Sequence, residues 1–285
     1  MRATATVSVI CVALLMGSAQ AAERELGKVK SKALAEVSGM AASRVNKGLL
    51  WVSNDGDSGR VYAIRTDGKM IVELRLPVRV LDVEELALGP GSEDGADYLY
   101  VGDIGDNDSR RFEVTVVRFK EPMIGSEGGE VKVEQAEQFR LAYPDGPHDA
   151  EAMFVDPESN SLFIVTKEPQ GGRLYSVAIN ALKDRVRSEL TLVGRVNADS
   201  VSGGAISPDG RRIVLRREEH GWLWNRRPGA SVAEALQGVP QVVTVRGRRQ
   251  GKNGEAVAFR GDSAAYYTLS EGKKQAISEF ELPPQ

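Results

Sequence analysis

Ser38, Glu84, Glu151, Ser202 and Glu255 occupy the same place in a short stretch that returns five times along the chain. The copies read Glu36-Val-Ser-Gly-Met-Ala41, Asp82-Val-Glu-Glu-Leu-Ala87, Asp149-Ala-Glu-Ala-Met-Phe154, Ser200-Val-Ser-Gly-Gly-Ala205 and Asn253-Gly-Glu-Ala-Val-Ala258. Each is preceded, two residues earlier, by another polar side chain: Glu36, Asp82, Asp149, Ser200 or Asn253. Residues two apart on a strand share a face, so the members of each pair are expected to point the same way. A second polar set closes the apolar run that follows each copy: Asn54, Asp103, Lys167, Arg217 and Glu271. Carboxylates drawn together from separate repeats repel one another. A cation must neutralise them, or Lys167 and Arg217 do, or some stay protonated.

The donors on offer are oxygens, which favour a hard cation such as Ca²⁺ or Mg²⁺ over zinc. The candidate metal ligands are Glu84, Glu151, Glu255, Asn54 and Asp103, and Ca²⁺ is the candidate ion. The candidate contacts to a small-molecule ligand are Lys167, Arg217, His148 and Asp149. Asn54-Asp-Gly-Asp57 and Asp103-Ile-Gly-Asp-Asn107 have the oxygen density of calcium loops, although neither carries the Glu that ends an EF-hand loop. Plainer readings stand beside these. Asp and Asn before Gly are ordinary turn formers, Lys167 with Glu168 and Arg217 with Glu218 read equally as ion pairs, and His148 reads as a surface histidine. The chain has no G-x-S-x-G elbow, no P-loop and no H-E-x-x-H, so no standard catalytic template fits.

Elements that would position these residues are short strands. Leu49 to Val52, Tyr98 to Val101, Leu162 to Val165, Ile213 to Leu215 and Ala265 to Leu269 follow the five copies, each after a turn-rich segment such as Pro208-Asp-Gly210. A third strand follows in every unit and a fourth in most, with Glu189 to Val193 expected as the fourth of the third unit. Four antiparallel strands in each of five units, roughly fifty residues apart, are the plan of an all-β, five-bladed β-propeller. Six blades is the rival count. The long interval from Glu84 to Glu151 is expected to hold a Gly-rich loop, Ile124 to Glu134, rather than a further blade. The fifth unit runs out after its third strand. Leu26 to Leu34 is therefore expected to pair as its outer strand and close the ring, which removes an exposed edge. Ile179 to Val186 and Ala230 to Leu236 are expected to form a helical turn or two.

Residues 1–21 read as a signal peptide. Arg2 precedes an uncharged apolar run, Val7 to Met16, and Ser18-Ala-Gln-Ala21 suits cleavage after Ala21. Residues 22–285 then form a single propeller domain, periplasmic or secreted, with no transmembrane segment after cleavage. The only cysteine, Cys11, lies within the leader, so disulfides, thiolate metal sites and Cys nucleophiles are not expected in the remainder. The 37 basic and 40 acidic residues give a formal charge of −3. No basic tail or patch points to nucleic acid, and the dense run Arg246 to Arg249 reads as a solvated turn.

The five copies, with Ser-Gly, Glu-Glu, Glu-Ala, Ser-Gly and Glu-Ala at their centres, resemble the SdiA-regulated family of exported five-bladed propellers. That resemblance implies a fold and a compartment but no reaction. Tyr100-Val-Gly-Asp-Ile-Gly-Asp-Asn107 and Asp149 to Met153 also look like stretches of uncharacterised bacterial secreted propellers. A more distant likeness is to calcium-dependent propeller hydrolases of the gluconolactonase and phytase-like groups, in which Glu, Asn and Asp hold a metal. It implies those parts for Glu84, Asn54 and Asp103. Three functions are consistent with the residues: a ligand-binding module with a cation-assisted site at the channel mouth, a metal-dependent lactonase or phosphoesterase-like hydrolase, and a protein-interaction scaffold.

Overall fold

The computed structural model describes residues 23–56, 59–125, 129–246 and 254–284. The signal peptide expected over residues 1–21 lies outside this range, as do Asp57, Asn253, Arg248 and Arg249. Among the described residues, twenty-two strands form five sheets arranged as the blades of a propeller.

Blade one is built from β2 (Val37–Ala42), β3 (Leu49–Asn54), β4 (Arg60–Arg65) and β5 (Met70–Arg75). Blade two uses β6 (Val83–Pro90), β7 (Asp97–Asp103), β8 (Val114–Lys120) and β10 (Glu137–Ala142), with β9 (Gly129–Lys132) inserted between the last two in sequence. Blade three uses β11 (Ala150–Asp156), β12 (Ser161–Thr166), β13 (Arg173–Ala178) and β15 (Thr191–Arg195), with β14 (Arg187–Glu189) in the connection. Blade four comprises β16 (Gly203–Ile206), β17 (Arg212–Arg217), β18 (His220–Asn225) and β19 (Gln241–Thr244). Blade five comprises β20 (Gly254–Phe259), β21 (Ala265–Ser270), β22 (Ala276–Glu281) and, from the other end of the chain, β1 (Glu23–Lys28). The innermost strands pack in a ring, β2 on β6, β6 on β11, β11 on β16, β16 on β20 and β20 back on β2.

The second strand of each blade is buried on both faces, because blades stack face to face. That is why β3, β12 and β21 read as near-continuous apolar runs rather than alternating ones. Five hydrophobic clusters follow, one between each pair of neighbouring blades. Trp51, Tyr100, Phe154 and Tyr266 are among their fully enclosed members, and each large apolar side chain so buried contributes roughly 1.5–3 kcal/mol.

Three local features differ from expectation. The strand that pairs antiparallel with β22 lies earlier than Leu26 to Leu34, with Glu23 opposite Phe280 and Lys28 opposite Ala276. The segment expected as a loop, 124–134, contains β9, which leaves blade two and pairs in parallel with β5 of blade one. The fourth strand of blade three starts at Thr191, and the residues before it form β14, which pairs in parallel with β10 of blade two. Each of these short strands covers the outer edge of the preceding blade, an edge that would otherwise expose unpaired backbone. Among the described residues helix is confined to a 3₁₀ turn, Ile179–Ala181, and α1 (Val232–Gln237), where Ser231 and Glu234 form a capping box. Among the described residues no helix is long and apolar enough to cross a membrane.

Candidate functional site

The recurring stretch does more than begin each innermost strand. In four blades the pairing register slips there, between Val37 and Met40, Val83 and Glu85, Ala150 and Ala152, and Gly254 and Ala256. Such bulges bend the strand and re-aim a side chain. The residue caught in the slip is the third of the copy: Ser38, Glu84, Glu151 or Glu255. Simple strand alternation is therefore broken at the very position that varies between Ser and Glu.

The two serines have a structural task. Ser38 Oγ donates to the carbonyl of Val83 at 2.7 Å, and Ser202 Oγ to that of Gly254 at 3.3 Å. Each bond runs from one blade to the next and ends on the carbonyl just before a glutamate, Glu84 or Glu255. The serine copies thus fix the backbone from which glutamate copies project.

The glutamates converge electrostatically. Glu84 is buried, and burial together with the charges of Glu151 and Asp82 pushes its pKa up to about 10. Burial, then Glu151 and Glu271, raises Glu255 to about 8. Burial raises Glu151 to about 7 even though the Lys167 ammonium pulls the other way. Asp82 rises to about 6, from burial and a hydrogen bond with Asp55. Ligand oxygens of Asp55, Asp82 and Glu84 lie within 4.8 Å of one another. Gly105 makes this approach possible, since a Cβ there would stand 2.4 Å from carboxylate oxygens of both Asp82 and Glu84.

The other candidate residues have definite partners. Asp103 is buried; its carboxylate pairs with Arg111 at 2.9 Å and accepts from the Asp82 N–H at 3.0 Å. Asp106 accepts from the N–H groups of Arg110 and Arg111. The oxygen-rich loop after β7 is thus held by its own backbone and by Arg111. Asn54 donates through Nδ2 to the Ala33 carbonyl, while its Oδ1 is buried without a partner among the described residues. Asp149 accepts from the Asp106 N–H at 2.8 Å. His148 bonds to Asp145 at 3.1 Å and stands 3.3 Å from an Arg173 nitrogen, and its ring packs near Tyr143 and Tyr175. With both ring nitrogens engaged, it is a packing residue between blades two and three. Arg217 pairs with Asp199. Lys167 pairs with Oε1 of Glu151, whose Oε2 is buried and has no partner among the described residues.

A cavity of about 310 Å³ opens on the same face. Lys167, Ser202, Arg217, His220 and Glu255 line it, so it unites Lys167 and Arg217 but not His148 or Asp149. Of the metal set read from sequence, Glu84 enters the close triad, and Asp55 and Asp82 complete it. Asp82 is one of the paired polar residues of the copies and Asp55 stands in the Asn54-Asp-Gly-Asp57 stretch; what the sequence concealed is that the bulge and Gly105 bring them together.

Two charged residues near the axis escaped sequence reasoning. Glu85 is fully buried and accepts from the N–H groups of Leu86 at 3.0 Å, Met40 at 3.4 Å and Gly204 at 2.8 Å, linking blades two, one and four. Burial raises its pKa well above the ordinary value despite these bonds. Arg216 is also fully buried and donates to the carbonyls of Ala256, Glu218 and Arg246; burial lowers it to about 10. Alternation along β17 turns Arg216 inward where Arg217 turns out, a signal the sequence does contain.

No family model matches the chain, and no curated protein matches it. Among solved structures it is similar to a chain of a nidogen/laminin complex, at 12% identity and a TM-score of 0.44 over 87% of this chain and 81% of that one. It is also similar to the hydrazine synthase of Kuenenia stuttgartiensis, at 14% identity and a TM-score of 0.42 over 85% of this chain and 57% of that chain.

Proposed function

We propose that the protein is an exported ligand-binding propeller whose channel mouth holds a divalent cation between Asp55, Asp82 and Glu84. The observation that carries this reading is the approach of three carboxylates to within 4.8 Å, one of them buried. Such a group is neutralised by protons or by a cation, and an all-oxygen donor set suits calcium or magnesium. The cavity beside Glu255 supplies Lys167 and Arg217 as donors to a small polar ligand. Export rests on the leader-like pattern of residues 1–21, and the likeness of the five copies to the SdiA-regulated family agrees with that compartment. Thermal unfolding in rising Ca²⁺ tests the proposal. A ligand that binds only the folded state raises stability by about 2.7 kcal/mol at a hundred times its Kd. The expected result is a saturable rise in Tm that Glu84→Gln abolishes; a Tm indifferent to Ca²⁺ and Mg²⁺ would overturn the proposal.

A hydrolytic reading draws on one further observation. Glu151 has a buried oxygen without a partner among the described residues and titrates near 7, the range that suits a general base. It would deprotonate water beside the cation during cleavage of a lactone or phosphoester. Glu151→Gln abolishing turnover of a model ester, with Ca²⁺ binding retained, would support it; unchanged turnover would exclude it.

A further inference from the structure

The face opposite the channel mouth carries a second site of contrary charge. The turn entering β17 and the turn leaving β18 lie at that end of blade four, and the residues after β22 pack against them. Together they enclose a cavity of about 430 Å³, within the range of roughly 300–1,000 Å³ usual for small-molecule sites. Arg211, Arg212, Arg226 and Arg227 line it, and no acidic side chain does.

The acids that serve these arginines do not line the cavity. Arg226 is paired, with Asp156 at 2.7 Å and Glu158 at 3.3 Å. Arg211 reaches only Glu158, at 3.9 Å. Arg212 is 4% exposed and donates to the carbonyls of Ser263 and Pro283, and its Nε has no partner. Carbonyls satisfy a guanidinium's hydrogens without neutralising its charge. Among the described residues neither Arg212 nor the exposed Arg227 has a carboxylate at ion-pair distance. The other acids nearby are engaged locally. Asp209 accepts from Ser207 Oγ and the Arg211 N–H, and Glu234 accepts from Ser231 in the cap of α1. Asp209 still acts on Arg212 and Glu234 on Arg227 through their charges, but none of these four carboxylates lines the cavity, which the four guanidiniums do. Leu223, Pro228, Pro283 and Pro284 give the rest of the wall an apolar part, beside the polar Asn225 and Gln241.

We propose that this cavity binds a phosphate monoester carried on a small apolar body. The ester is close to a dianion above pH 7, which suits a lining of four guanidiniums without a carboxylate, and the planar fork of arginine suits phosphate oxygens. Arg227 and Arg211 grip the phosphate, Arg212 adds its field from below, and Leu223 with the prolines receives the body. The site is separate from the carboxylate mouth and stands or falls without it.

Calorimetric titration of the full chain with phenyl phosphate at pH 8 and low salt tests the assignment. The expected result is saturable binding, at least about tenfold tighter than inorganic phosphate or benzoate. Arg227→Gln and Gln241→Glu alter exposed positions, so each is expected to weaken binding about tenfold or more with Tm unchanged. Absence of saturable heat, affinity equal to that of inorganic phosphate, or wild-type affinity in both variants would overturn the proposal. Phosphatidate offers the same headgroup chemistry from a membrane. The protein is expected to remain in the supernatant when phosphatidate vesicles are sedimented, and co-sedimentation that phenyl phosphate reverses would overturn assignment to a free ligand.

Discussion

Glu84 is held against three penalties at once: loss of water, the charge of Glu151 and the charge of Asp82. Its neutral isostere escapes all three. Glu84→Gln is therefore expected to stabilise the cation-free protein at pH 7 by on the order of 1–3 kcal/mol, read by thermal or urea unfolding, while removing the stabilisation that Ca²⁺ confers. A loss of stability in the cation-free variant would mean that the carboxylate is satisfied as it stands. Gly105 provides an independent probe. Its missing Cβ is the space that Asp82 and Glu84 occupy, so Gly105→Ala is expected to weaken cation binding by at least about tenfold, measured by titration, even where the fold survives.

The inner strands explain why a single stretch alternates between serine and glutamate. In four of the five copies a bulge at the third position presents that side chain at the mouth, and serine uses the position to brace the next blade. Ser38→Ala removes a buried hydrogen bond and leaves the Val83 carbonyl without it. The expected cost is about 1–2 kcal/mol in urea unfolding, with weaker cation affinity because Val83 anchors the strand that carries Glu84. The repeat, the strand sequence and the five-blade count were legible because apolar runs and turn residues recur with the copies. The bulge was not legible, since period-two reasoning assumes an unbroken ladder. Nor were β9 and β14, whose four and three residues are exposed or nearly so and leave no apolar pattern. The same limit applies at the mouth. Asp103 looked like a free ligand because Arg111, its partner, lies beyond the loop, and nothing in the spacing reveals which way that arginine turns.

At the scale of the whole molecule, two sites on opposite faces differ in the charge that lines them. One gathers carboxylates at the channel mouth, and the other collects arginines between blades four and five. The mouth imposes a pH dependence. Glu84, Glu151 and Glu255 all have folded pKa values above the ordinary 4.5. The unfolded chain therefore releases these protons first as pH rises, and stability is lost from 4.5 upward through about 7 and 8. Unfolding of the cation-free protein across this range is expected to show that decline, and saturating Ca²⁺ is expected to flatten it. A flat profile without the cation would show that the carboxylates are neutralised from within.

The most direct measurement is calorimetric titration of Ca²⁺ into the purified protein at pH 7 in two buffers of different ionisation heat. A cation entering this site must displace a proton from Glu84, so the account predicts one saturable site whose apparent heat differs between the buffers by the proton released. Absence of saturable heat, or binding that persists unchanged in Glu84→Gln, would contradict it.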